Sequence, residues 1–135
     1  MLSDLVDPFT PLERASIEAI CVEHPVLAEG LRNQSAAATV TSRDNTGVGF
    51  FTYFEVASSV APLPSPFKSP LGTVSTTVVG VEMYFMVWVS KEGFADCIEG
   101  YTMESEDFDL SEVDLATVTF PPFQRVVFNQ PAPGA

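Results

Sequence analysis

The stretch from Tyr84 to Met103, read as Y-F-M-V-W-V-S-K-E-G-F-A-D-C-I-E-G-Y-T-M, constrains the fold more than any other part of this chain. Tyr84 to Val89 carries no charge and is rich in β-branched and aromatic residues, which suits a central strand buried on both faces. Ser90 is followed by Lys91, Glu92 and Gly93, and a glycine closing such a short loop fits a type I turn that ends in the left-handed region. The stretch therefore predicts a β-hairpin. With Ser90 facing Phe94, Trp88 faces Asp96, Val87 faces Cys97 and Phe85 faces Glu99. Side chains alternate across a strand, so Glu99 is expected among Met83, Phe85, Val87, Cys97 and Tyr101.

A carboxylate in that company has two readings. The functional one is a buried acid able to exchange a proton or anchor a ligand, with Tyr101 and Tyr53 as its partners in a pocket. The structural one is a carboxylate hydrogen-bonded to Tyr101, to a backbone amide or to Arg125, or lying on a face less covered than the apolar run implies. Gly100 follows directly and marks a bulge or a close approach of two backbones.

At 135 residues one domain over 1–135 with a single core is expected. It divides into an N-terminal arm at 1–9, a helical part at 10–33, a sheet part at 36–128 and a flexible tail at 129–135. Hydrophobic residues make up 46%, eleven of them phenylalanine, which is more apolar surface than one small domain comfortably hides. A homodimer is therefore expected, with Phe123 and Phe128 at a sheet edge in its interface. The net charge of -12, from 18 acidic and 6 basic side chains, repels nucleic acid and anionic lipid headgroups and suits a basic protein partner. The start, M-L-S-D-L-V-D-P, has acids where a signal peptide has bases, and no apolar run is long enough to span a bilayer, so a cytoplasmic protein is expected.

Cys21 and Cys97 have no C-x-x-C spacing and His24 is the lone histidine. That pattern supports neither a zinc site nor a redox motif, and two buried thiols with no metal and no cofactor are expected. His24 stands before Pro25 at a helix break, without the neighbours of a catalytic triad, and is assigned no role.

Thr10-Pro11-Leu12-Glu13 reads as an N-cap, a proline at the first helical position and a capping-box glutamate, predicting a helix from Pro11 to Glu23. Its apolar positions fall on two sides, Leu12, Ala15, Ala19 and Val22 on one and Ile17, Ile20 and Cys21 on the other. Contact with the sheet and with a further layer is expected. A short second helix from Pro25 to Arg32 buries Leu27 and Leu31. Strands are predicted at Ala36 to Ser42, Gly47 to Val56, Gly72 to Val79 and Ala116 to Phe120, with an edge strand or a contact surface at Phe123 to Phe128. The Pro-rich segment from Ala57 to Pro70 is a long connection anchored by Leu63 and Phe67, and consecutive strands are expected to form a meander. Between Glu104 and Asp114 the acids read as a solvated loop. A calcium loop is the sharper alternative, although the spacing lacks the EF-hand pattern and its glycine.

The segments G-V-G-F-F-T-Y-F, Gly47 to Phe54, and I-E-G-Y-T, Ile98 to Thr102, give the chain a further likeness. It resembles a family of small bacterial proteins of uncharacterised function that carry G-x-G-F-F-T, an apolar strand pair and L-E-G-[YF]-T before an acidic stretch. The likeness spans about half the chain. The chain departs from the family after the second motif, where Phe108 is the sole aromatic between Tyr101 and Phe120. The resemblance implies a bacterial source and an α+β fold, and transfers no functional residue.

These readings converge on an α+β domain, an N-terminal helical pair packed on an antiparallel sheet of five or six strands around a central hairpin. Two functions fit it. One is a non-enzymatic acidic protein-interaction module. The other is a small-molecule binder or enzyme whose pocket lies between the sheet and the Pro-rich loop near Glu99, Tyr101 and Tyr53.

Overall fold

The computed structural model describes residues 7–103 and 109–126. The expected tail at 129–135, Phe128 and the first half of the acidic stretch lie outside the described residues.

Helix α1, Pro11–Glu23, begins on the predicted cap: Glu13 N–H donates to Thr10 Oγ1 at 3.1 Å and Thr10 N–H donates to Glu13 Oε1 at 2.8 Å. It stops at His24, before Pro25, and helix α2, Pro25–Ala36, follows directly. The expected end of α2 at Arg32 falls a turn short. Gln34 is fully buried in that last turn, its amide donating to Ala61 O (3.1 Å) and Gly93 O (2.9 Å) while its Oε1 accepts from Ala95 N–H (2.8 Å). Tertiary hydrogen bonds thus hold residues whose own propensity is weak.

Six strands follow: β1 Ala38–Asn45, β2 Gly49–Val56, β3 Leu71–Val78, β4 Val81–Val89, β5 Ala95–Tyr101 and β6 Gln124–Arg125. They form one antiparallel sheet in the order β1-β2-β5-β4-β3-β6, with both helices on one face, an α+β fold with the β4–β5 hairpin at its centre. The expected meander is corrected here, because β2 pairs with β5 and not with β3. Two glycines make that pairing possible. A Cβ at Gly49 would lie 2.4 Å from Gly100 O, and one at Gly100 would lie 2.5 Å from Phe50 Cε1, so the backbones meet closely and the Phe50 ring covers Gly100. The Pro-rich connection then carries the chain past the hairpin. Leu63, buried, is pinned to the hairpin turn by its N–H bond to Gly93 O (2.9 Å).

The hairpin turn is as predicted: Gly93 has φ +93°, and Ser90 N–H donates to Phe94 O at 2.9 Å. The register beyond it is not. Val89 pairs with Ala95 but Trp88 pairs with Cys97, so Asp96 is an extra residue in β5 and Phe85 faces Gly100 in place of Glu99. A bulge of this kind moves every later side chain to the opposite face. The expectation that Tyr84 to Val89 is buried on both faces is also overturned. Met83, Phe85, Val87 and Val89 are buried, while Tyr84, Met86 and Trp88 alternate with them on a half-open face.

One core cluster runs from Phe9 through both helices and the covered face of the sheet to Leu110. Phe9 lies in the stretch read as an arm, yet its ring meets Phe54 edge-on at 5.2 Å. Leu110 is fully buried inside the acidic stretch, held by its N–H to Gly47 O and by Asn45 Nδ2 to Leu110 O (3.0 Å). Ala116 to Phe120 forms no strand, because a turn at Asp114–Thr117 replaces it. Phe123 packs on Phe85 at 5.0 Å and Phe120 on Phe123 at 5.9 Å, so these phenylalanines close the chain's own core. The further layer expected beyond α1 is absent among the described residues, and Val22 is 73% exposed. Among the described residues no helix is long and apolar enough to cross a membrane.

A glutamate at each end fastens α1 to the sheet. Glu13, buried, accepts from Arg43 Nε (3.0 Å) and Nη2 (2.9 Å) on β1 and from the Thr52 hydroxyl on β2. Glu23 accepts from Thr73 N–H (2.8 Å) and the Thr73 hydroxyl on β3, with Arg125 of β6 at 3.6 Å. Glu13→Ala leaves Thr52 and the cap without a partner and is expected to cost about 3 kcal/mol in urea unfolding. Glu18→Ala, which breaks the exposed Glu18–Arg32 pair, should cost under about 1 kcal/mol. Equal losses at the two positions would show that the buried fastening contributes nothing special.

Candidate functional site

With the helices on one face, the other face of the central strands is left open. From β2 come Phe51 and Tyr53, from β4 Tyr84, Met86 and Trp88, and from β5 Cys97, Glu99 and Tyr101. Alternation forces this grouping, since Phe51 pairs with Glu99, which pairs with Met86, and Tyr53 pairs with Cys97, which pairs with Trp88. Trp88 is 39% and Tyr53 41% exposed, unusually open for aromatic side chains in the middle of a sheet.

Ring contacts order the face. Phe51 and Tyr53 stack at 6.0 Å, and Tyr84 meets Tyr101 at 5.5 Å. Tyr84 OH donates to Glu82 Oε1 at 3.0 Å, and Ser75 Oγ donates to the other oxygen of the same carboxylate at 2.9 Å. Trp88 Nε1 donates to Glu99 Oε1 at 3.0 Å, a bond that ties β4 to β5 on the solvent side. Carboxylates are therefore distributed among the rings. Loss of hydration pushes the Asp96 carboxyl up, and it does the same to the Tyr53 and Tyr101 phenols, with neighbouring Glu99 adding to both phenol shifts.

The three residues singled out from the sequence, Glu99, Tyr101 and Tyr53, do share this face. Their setting differs from the expected pocket in two ways. Glu99 lies on the open face because of the Asp96 bulge, and its partner is Trp88 in place of Tyr101, a backbone amide or Arg125. Nor does the Pro-rich loop cover them, because it packs against α2, the hairpin turn and the helix junction on the other side. The hollow that does form beside Tyr53 is an open one of about 500 Å³, bounded by Phe51, Trp88, Asp96 and Cys97 among others.

Sequence reasoning leaves out Trp88, Phe51 and Asp96. Phe51 is legible from the alternation of β2 with Tyr53. Trp88 is not, because the uncharged run Tyr84 to Val89 gives no sign that one of its faces is open, and Asp96 is not, because it depends on the bulge.

Elsewhere, a hollow of about 240 Å³ lies near Thr10 and Arg43, where Arg43 and Glu13 are already paired. His24 stands at the helix junction against Glu23, its Nε2 3.3 Å from Glu23 Oε1. Among the described residues no group of His, Cys, Asp and Glu is placed to hold a metal ion. In the described part of the acidic stretch, the Asp109 carboxylate accepts from Ser111 N–H (2.9 Å) and Oγ (2.6 Å) and so shapes a turn.

Cys97 is buried under the open face and Cys21 on the side of α1 that meets α2, both free. Burial pushes each thiol up to about 11. At pH 8 only about one thiol in a thousand is then ionised, so modification by an aromatic disulfide reagent should run about two orders of magnitude slower than for free cysteine. Rapid labelling of Cys97 alone in the folded protein would show that the aromatic face opens around it. Comparison of the chain with protein-family models, curated proteins and solved structures gives no match.

Proposed function

We propose that the protein is a non-enzymatic, acidic interaction module that docks a basic protein surface onto the open aromatic face of its sheet. The observation that carries this reading is the exposure of Trp88 and Tyr53 among Phe51, Tyr84, Met86 and Tyr101, on the side of the sheet away from both helices. Rigid aromatic groups held by strands lose little entropy on contact, and tryptophan and tyrosine are the residues in which interface energy concentrates.

Charge favours a partner of opposite sign. Glu55, Glu82, Asp96 and Glu99 lie on or beside this face, in a chain of net charge -12. Apolar contacts at the centre with lysine or arginine reaching these carboxylates would satisfy both features, and association should slow as salt is added. A second copy meeting the same face would bring like charges together, so the basic partner is the better-supported occupant. A homodimer through the C-terminal segment is the less favoured reading here, since the Phe123 ring packs on Phe85 within the same chain. The alternative, a ligand pocket near Glu99 and Tyr101, has less behind it, because the nearest hollow is open and Glu99 is engaged with Trp88. The likeness of the Gly47–Phe54 and Ile98–Thr102 segments to a bacterial family, with two free thiols suited to a reducing compartment, supports a bacterial, cytoplasmic setting.

A photo-crosslinking residue placed at position 53 or 88, and at Val79 as an exposed control, tests the reading in the native host. The expected result is a discrete adduct with one basic protein from positions 53 and 88 and none from 79. Adducts with a second copy alone, or equal adducts from all three positions, would contradict it.

A further inference from the structure

A wide, open hollow lies on the helix side, away from the aromatic face. It measures about 860 Å³ and forms where the α1–α2 junction meets the second half of the Pro-rich loop and the start of β3. That volume is within the range of small-molecule sites, about 300 to 1,000 Å³. Its apolar members include Val26, Leu27, Phe67 and Leu71, with prolines beside them. Val26 is 84% exposed at the start of α2, a position with no part in the core.

Its charge is the opposite of the rest of the chain. Lys68 and Arg125 both line it, two of the six basic side chains of the whole sequence. Arg14, Arg32 and Arg43 are each held close by a carboxylate, whereas Arg125 is 75% exposed and only loosely placed against Glu23 at 3.6 Å. Glu23 is the one acid among the described lining residues, and its side chain is only 5% exposed, with its oxygens engaged by Thr73 and His24. Two cations therefore stand against one shielded carboxylate. The start of α2 adds to this, because His24 provides no side-chain cap and the positive end of the helix dipole is left at the same hollow. In a protein of net charge -12 such a spot concentrates anions locally against the general repulsion.

We propose that this hollow binds a small amphipathic carboxylate, an apolar chain or ring bearing one carboxylate head. The chain lies against Val26, Phe67 and Leu71, and the head is answered by Lys68 and Arg125. Neither part suffices alone. A plain anion leaves the apolar wall wet, and an uncharged chain leaves Lys68 unanswered and Arg125 with only its 3.6 Å contact to Glu23. The site is independent of the aromatic face on the other side of the sheet.

Decanoate, below its micellar concentration, is the probe, titrated into the full chain and followed by amide chemical shifts. Acetate supplies the head without the chain, and decyltrimethylammonium the chain with the opposite head. Saturable shifts at the Val26, Gly72 and Thr73 amides are expected for decanoate, with affinity at least tenfold above that of either control. Lys68→Glu, at an exposed loop position, should weaken decanoate at least tenfold while leaving the amides around Trp88 unmoved. Shifts confined to the Tyr53–Trp88 face, no saturable shift, or equal affinity for decanoate and the cationic chain would overturn the proposal. The last comparison uses the unaltered protein and so decides the matter even where the variant does not fold.

Discussion

The extra residue at Asp96 sets the register of the β4–β5 hairpin, and that register determines which side chains reach the covered face of the sheet. With Asp96 bulged out, Ala95, Ile98 and Gly100 point to the helices, and Cys97, Glu99 and Tyr101 point away. Gly100 then lies under the Phe50 ring, where no larger residue fits, and Phe85 sits opposite it in the core. Without the bulge Glu99 would take a place in that apolar layer beside Phe50 and Phe85, at a desolvation cost of roughly several kcal/mol. The bulge thus lets one hairpin supply a dry core on one side and a polar-aromatic surface on the other.

Helix α1 determines which side is dry. Its two end glutamates reach the sheet in similar ways, each to a threonine and an arginine on neighbouring strands, Thr52 with Arg43 and Thr73 with Arg125. Ile17 and Ile20 fill the space between. Buried carboxylates of this kind do little for stability in comparison with an apolar replacement, but they fix where the helix lies, since each is satisfied in one position. Gln34 does the same for α2, joining the helix to the hairpin turn and the Pro-rich connection through three hydrogen bonds.

Much of this is legible in the sequence and some of it is not, for identifiable reasons. The caps, the helix break at His24, the Gly93 turn and the loop anchors Leu63 and Phe67 depend on a few adjacent residues, and local chemistry specifies them. Hydrophobic periodicity misplaces the buried face of α1, because the buried positions include Glu13 and Ser16, which it counts as solvent-facing, while apolar Val22 is exposed. The strand order and the burial of Leu110 arise from contacts between distant segments. The bulge cannot be read from A-D-C-I-E-G-Y, since either register gives an alternating strand, and only the fit of Phe50 over Gly100 separates them. The candidate residues Glu99, Tyr101 and Tyr53 fall on one face for the right period and the wrong register.

An aromatic sheet face that both helices leave open is the central claim, and Trp88, the sole tryptophan, reports on it directly. Its surroundings carry Glu99, Asp96 and Glu55, so a cation should approach it more readily than an anion. The decisive measurement is quenching of Trp88 fluorescence in the native protein by caesium and by iodide at matched ionic strength. The account predicts red-shifted emission that caesium quenches several-fold more strongly than iodide, with the difference vanishing on unfolding. Blue-shifted emission resistant to both ions would contradict it, placing Trp88 inside a covered layer.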